Sequence, residues 1–185
     1  MDIHTAIHQR RTIHTWQALP MQEEALAQAI EAAHMAPCHR QTWPWRFNIA
    51  GPKTREAIFE LAVQLKKGDA PEISKTLRNN LIRKIKNPAV LIVVSMIQTE
   101  DDFMNRENYA AVSCAIQNLS LSLHANGYGS KWSTGKITRH SKVYKMMQID
   151  ENSEEIVGFI WAGVPDRVPS PPDRPLVTHF LRKLD

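Results

Sequence analysis

Three short stretches of this 185-residue chain hold residue types that can bind and orient a polar ligand. The first is Arg10-Arg11-Thr12. Two guanidinium groups and a hydroxyl within three residues suit a phosphate, because arginine makes bidentate, charge-assisted hydrogen bonds and threonine adds a neutral one. Adjacent arginines at a helix end also occur as solvated groups that complement the helix dipole, so the triplet alone is a weak signal. The second stretch is Ala36-Pro37-Cys38-His39-Arg40-Gln41, followed by Trp43-Pro44-Trp45-Arg46-Phe47. Prolines stiffen such a helix-to-strand loop, and its polar side chains can then be aimed at a planar heterocycle with a polar edge. Trp45 and Phe47 read as core, whereas His39 and Gln41 keep a binding reading. The third is Gly127-Tyr128-Gly129-Ser130-Lys131-Trp132-Ser133-Thr134-Gly135. It closes a helix and enters a strand, so it is not the G-x-G-x-x-G that opens a helix in dinucleotide-binding folds. Its glycines permit close backbone approach, with Trp132, Ser133 and Thr134 available for stacking and N–H donation.

No stretch pairs a nucleophile with its own base. Paired carboxylates and a G-x-S-x-G are missing, and Cys38 and Cys114 stand far apart without a CxxC or a histidine at ligand spacing. Neither a metal site nor a disulfide framework is expected. Binding groups without an acid–base set point to a cofactor that carries the chemistry. The net charge is +4, and its distribution says more than its size. No acidic residue lies between Glu107 and Asp150, where Lys131, Lys136, Arg139, Lys142 and Lys145 fall; a second basic cluster holds Lys75, Arg78, Arg83, Lys84 and Lys86. Such segregation suits an anionic small molecule or a phosphate-bearing cofactor. A non-catalytic nucleic-acid-binding module is the competing reading. The chain has no recognisable helix-turn-helix, RNP-type aromatic sheet or continuous basic stripe, which argues against it. No apolar run reaches the roughly 18 residues of a membrane span, and the first residues lack a secretory pattern. A cytoplasmic protein without membrane attachment and with reduced cysteines is expected.

The elements that must position these groups are legible from periodicity. Short and longer helices are predicted over 2–9 and 22–35, the second with Leu26, Ile30 and Ala33 inward. A half-buried strand follows at 45–49, then helices at about 53–67 and 72–85 and a strand over 88–94 buried on both faces. Residues 106–126 form a long helix stopped by Gly127, crowded with small residues such as Ala110, Ala111, Ser113, Cys114 and Ala115, and therefore central. A short strand at 131–134, a helix at 141–147 and a strand at 156–162 complete the core. The order is helix-rich without a βαβ rhythm, which gives an α+β fold in one domain spanning 1–185. Residues 164–185 hold Pro165, Pro169, Pro171, Pro172 and Pro175, yet end in Leu176-Val177-Thr178-His179-Phe180-Leu181. A stiff run with an apolar end predicts an extended C-terminal arm lying across another surface, in preference to a disordered terminus.

The three stretches, taken in order, resemble the flavin-dependent nitroreductase family, most closely its short bacterial NAD(P)H nitroreductase subgroup. Arg10-Arg11-Thr12 is similar to the family's Arg-Arg-Ser. Residues 36–47 resemble its Ala-Pro-Ser-x-x-Asn-x-Gln-Pro-Trp-x-Phe loop, with Cys38, Gln41 and Trp43 departing from Ser, Asn and Gln. Residues 110–135 resemble the central helix and Gly-x-Gly-x-x-Trp turn, and Ile156–Ile160 with Gly163-Val164-Pro165 the last strand and its exit. The resemblance implies a nitroreductase-like fold, a small mostly antiparallel sheet flanked by helices around a long central helix, assembled as an intertwined homodimer. It implies one FMN in each interface cleft and NAD(P)H as co-substrate, with hydride passing through flavin N5 to a nitroaromatic, quinone or similar small-molecule acceptor. It assigns Arg10, Arg11 and Thr12 to the phosphate and ribityl, and His14 to the place of a basic residue near the ring. His39 is assigned to the partner chain's contribution, Trp132, Ser133 and Thr134 to the turn over the ring or phosphate, and Arg174 to a second phosphate contact. Flavin enzymes of the same fold with other chemistry, such as dehalogenation, flavin breakdown or oxidation of a small inorganic substrate, are the alternative.

Overall fold

Two strands without a single charge in their middles set the architecture. Val90–Ile97 (β2) and Glu154–Gly163 (β4) pair antiparallel from Val90↔Ala162 to Ile97↔Glu154, with a bulge between Val94 and Ser95. Trp45–Ile49 (β1) pairs with β2 and Gly129–Ser133 (β3) with β4, both antiparallel, giving the order β1-β2-β4-β3. The computed structural model describes residues 1–184. Helices Ile3–Gln9 (α1), Glu23–His34 (α2), Pro52–Lys67 (α3), Lys75–Ile85 (α4), Asp102–Ala125 (α5) and Ser141–Met147 (α6) complete an α+β fold. Both faces of the sheet are covered. On one, Leu91, Val93, Phe159 and Trp161 pack with Ile58, Phe59 and Leu61 of α3, Leu81 and Ile85 of α4, and Val143 of α6. On the other, Ile92, Val94 and Ile160 pack with α2 and α5. Double coverage is why β2 and β4 read as unbroken apolar runs rather than as alternation.

The seam between α2 and α5 differs from the expected Leu26–Ile30–Ala33 face. Ala25, Ala29 and Ala33 are the buried residues of α2, with Ala29 and Ala33 packed among Ala111, Ala115 and Leu119 of α5, while Leu26 and Ile30 are only partly buried. Small residues on both helices let the backbones approach closely, and the larger side chains are displaced to the flank. The central helix also starts earlier than its periodicity predicts. Asp101 caps it by accepting from the Phe103 and Met104 N–H groups, which carries the helix to Asp102.

Two tertiary clamps place the elements that carry the basic groups. Arg55 of α3 donates to the carbonyls of Ile85 (2.8 Å), Pro88 (2.6 Å) and Ala89 (2.9 Å), tying the end of α4 to the entrance of β2. Residues 12–17 are held against the sheet at both ends. Ile13 N–H donates to Ser130 O at 3.0 Å in a parallel bridge with β3, and Gln17 N–H and Asp166 N–H exchange bonds with Val164 O and Thr15 O, each at 3.0 Å. Glycines make this approach possible. A Cβ at Gly129 would overlap Ile13 Cγ1 and sit 3.0 Å from Pro165 Cγ, and one at Gly163 would sit 2.9 Å from Ala89 N. Gly129→Val should therefore lift residues 12–14 off β3 and destabilise the fold by about 1–3 kcal/mol. Urea and thermal unfolding check it, and an unchanged midpoint would show that this segment does not depend on β3.

Candidate functional site

The Arg10-Arg11-Thr12 triplet is the linker between α1 and the clamped segment. Because Ile13 is buried in the core beside Trp16, its neighbours Thr12 and His14 face outward along the edge of β3. Arg11 folds back, donating through Nη1 to His8 O (2.7 Å) and Arg10 O (2.8 Å), and its Nε is buried without a partner. Arg10 is half-buried, and among the described residues its guanidinium has no hydrogen-bond partner. Burial, then Arg11 and Arg174, push its pKa down. Arg174 of the tail thus lies within range of the Arg10 charge at that end of the edge.

The other end is built by β3 and α4. Lys131 Nζ stands 3.2 Å from His14 Nδ1. An ammonium only donates, so His14 accepts on Nδ1 and carries its ring proton on Nε2. Burial, and then Lys84, lower the Lys131 pKa. Beyond it, Lys84, Ser133, Thr134 and Gly135 line a cavity of about 440 Å³ floored by Phe159 and Trp161. Ser133 Oγ and the indole Nε1 of Trp161, 2% exposed, are buried there without partners among the described residues. Among the described residues, ion pairs join Arg78 to Glu60 and Lys86 to Glu56, and none neutralises Arg10, Arg11, Lys84 or Lys131. The whole edge is an uncompensated positive strip whose buried polar atoms lack partners. An anion with a polar rim would satisfy both.

Within the third stretch, the strand pleat separates what the sequence grouped. Ser133 faces the α3 and α4 side with Phe159, whereas Trp132 lies on the opposite face, its Nε1 donating to Val157 O at 3.4 Å over Gly158. Successive residues of a strand point to opposite faces, so Trp132 and Ser133 cannot both turn toward one ligand on one face. Lys131, not Trp132, shares the Ser133 face.

His39 belongs to a different region of the chain. Its loop is held in left-handed conformation at Arg40 (φ 53°), Gln41 (φ 54°) and Trp43 (φ 45°), an unusual cluster for residues with side chains. A brace maintains it. Trp43 N–H donates to Cys38 Sγ (3.2 Å), and Thr42 Oγ1 donates to the buried Asn108 of α5 (3.0 Å), whose Nδ2 donates to Ile97 O (3.2 Å). Trp45 is core, as expected, with its Nε1 on His34 Nδ1 at 3.1 Å. His39 and Gln41 are exposed. Asn108 and His124, which border the His39 loop and the Arg10 region respectively, are separated along α5 by about 24 Å. One chain therefore gathers Arg10, Arg11, Thr12, His14, Ser133 and Thr134 along one edge, with Arg174 beside Arg10, and leaves His39 apart. The sequence shows Lys84 and Lys131 only as members of separate basic clusters; that Lys131 feels the charge of Lys84 is a tertiary fact. His124, behind Arg10 and Arg11, carried no sequence signal.

The fold is an α+β arrangement of an antiparallel four-stranded sheet and six helices, without the parallel βαβ order of a Rossmann domain. The chain belongs to the nitroreductase family: the model of the Nitroreductase family matches residues 7–164. It is 27% identical over 164 residues to the Bacillus subtilis protein named "Putative NAD(P)H nitroreductase YfhC", covering 88% of this chain and 84% of that one. Among solved structures it is similar to a nitroreductase-like family protein from Bacillus cereus, with a TM-score of 0.84 at 21% identity, covering 100% of this chain and 96% of that one. It is also similar to a "putative nitroreductase in complex with fmn" from Desulfovibrio desulfuricans, with a TM-score of 0.76 at 21% identity, covering 100% and 98%.

Proposed function

We propose that the protein is an FMN-dependent oxidoreductase that takes electrons from NAD(P)H and delivers them to a nitroaromatic, quinone or similar acceptor, working as a homodimer. One observation carries the reading: segment 10–14 lies parallel to β3 and forms a continuous cationic edge whose buried polar atoms have no partners. FMN fits that edge by its chemistry. Arg10, Arg11 and Arg174 would hold the phosphate and Thr12 the ribityl hydroxyls, while His14, Lys131, Ser133 and Thr134 would meet the ring's polar rim. FMN bound in a relative of this fold supports the same choice.

Bound flavin supplies reversible hydride acceptance at N5 and passes the electrons on. The chain's own residues bind and orient it. Lys131 and Lys84 would supply positive charge to favour an anionic ligand rim, and the low-dielectric floor of Phe159 and Trp161 would strengthen that attraction. His14, accepting from Lys131, keeps its Nε2–H free to donate. Trp132 braces the strand from the opposite face instead of covering the ligand. His39, about a helix length from the arginines, fits a contribution to the partner chain's cleft.

Purified protein should be yellow, or should bind added FMN at near one per chain with a shift of the flavin's visible absorption. A colourless protein that titrates with neither FMN nor FAD would remove the flavin reading. Flavin-loaded protein offered NADH and NADPH with nitroaromatic, quinone and halogenated aromatic acceptors then separates nitroreduction from the other chemistries of the fold.

A further inference from the structure

Between the end of α1 and the last turn of α5 lies a second, smaller cavity, about 210 Å³, lined by Arg10, Arg11, Ile13, His124, Tyr128 and Val168 among others. Among the described residues, His124 Nε2 and Arg11 Nε are both buried there without a partner. Two such atoms beside the unpaired Arg10 guanidinium leave three nitrogen groups around one small space. We infer that this cavity is an anion pocket in which His124, as the imidazolium, joins Arg10 and Arg11 in holding a phosphate group, so that phosphate binding takes up a proton at His124. The inference rests on the flavin reading for the molecule that carries the phosphate, and its chemistry is one proton from solvent added to a neutral imidazole.

The electrostatics agree. Burial first, and then Arg10 and Arg11, hold the His124 pKa below its ordinary value in the free chain, so the ring enters the pocket neutral. The groups facing it are Arg10 and Arg11 from the end of α1, Met1 ahead of that helix, Tyr128 after α5 and Val168 of the tail. The Tyr128 hydroxyl is occupied by the Gln22 N–H at 3.1 Å, and among the described residues no carboxylate lines the cavity. An anion seated among these groups offsets the guanidinium charges and can accept from the ring, so the same ring is then more readily protonated. Proton uptake makes affinity rise as pH falls through the anion-bound pKa and level off below the free one. The second ionisation of a phosphate monoester, near pH 6, works in the opposite direction. The informative window therefore lies above it, from pH 8 down to about 6.5.

The test follows the His124 imidazole resonance, assigned by its loss in His124→Gln, in titrations with and without saturating inorganic phosphate or FMN. The expected result is an upward shift of the His124 midpoint by about one unit or more with either ligand. FMN affinity should then rise about threefold from pH 8 to 6.5 in the wild type and stay flat or fall in His124→Gln. Should that variant fold poorly, His124→Asn and the wild-type resonance alone still decide. An unmoved midpoint in protein shown to bind FMN by its absorbance overturns the inference and leaves the flavin reading standing. A midpoint moved by phosphate in protein that binds no flavin supports the pocket and removes the flavin reading instead.

Discussion

Arg10→Ala should lower FMN affinity by about 30-fold to several-thousand-fold while leaving riboflavin affinity within a few-fold of the wild type. Truncating one partner of a half-buried charge pair costs about 2–5 kcal/mol, and each 1.4 kcal/mol is tenfold. The geometry singles out Arg10 over its neighbour. Arg11 Nη1 is already committed to two carbonyls at 2.7 and 2.8 Å, whereas Arg10 has no hydrogen-bond partner among the described residues and feels the charges of Arg11 and Arg174. Arg11→Ala should accordingly cost less in phosphate affinity and more in stability, because it releases the end of α1. Arg10→Lys should fall between wild type and Arg10→Ala, since the ammonium keeps the charge and loses the bidentate geometry. Relieving mutual repulsion among three arginines should leave Arg10→Ala at least as stable as the wild type in the absence of flavin. Equal losses for FMN and riboflavin, or a lowered thermal midpoint, would place Arg10 in folding rather than in phosphate binding.

What the sequence made legible follows from how local each signal is. The order of helices and strands could be read because β2 and β4 are uninterrupted apolar runs and because Gly68 and Gly127 end their helices at positive φ, 56° and 82°. The Arg10-Arg11-Thr12 triplet could be read because its chemistry is contained in three adjacent residues. Three features lay beyond it, each for a physical reason. The alanine seam of α2 is decided by how closely α5 approaches, and periodicity alone favoured the larger Leu26 and Ile30. Trp132 and Ser133 were grouped as one turn because they are adjacent. Once the strand starts at Gly129, the pleat assigns them to opposite faces, and that depends on the pairing Trp132↔Ile160. The approach of Lys84 to Lys131 needs α4 docked by Arg55 onto the entrance of β2, a contact between segments some thirty residues apart.

Removing residues 168–185 should shift the protein from dimer toward monomer and lower its FMN content in the same step. The tail has one short 3-10 turn, Val177–His179, and its apolar side chains lie open on the isolated chain, with Leu176 70% and Phe180 75% exposed. A proline-rich segment with so little internal bonding gains order only against another surface. Burying Leu176, Val177, Phe180 and Leu181 stabilises by roughly 1.5–3 kcal/mol each before ordering costs, enough to decide a marginally stable assembly. Two effects must be separated, because the deletion also removes Arg174 from beside Arg10. Arg174→Ala tests that part alone: it should weaken FMN binding while the particle stays dimeric in light scattering. Leu176→Ser with Phe180→Ser tests the other, and should loosen the dimer with every arginine in place. Flavin should then be lost in proportion to the monomer fraction if His39 is supplied across the interface. Should the truncated chain lose thermal stability yet stay dimeric at high concentration, the arm folds back on its own chain. A truncated protein as dimeric, yellow and stable as the full chain would show that the tail covers nothing.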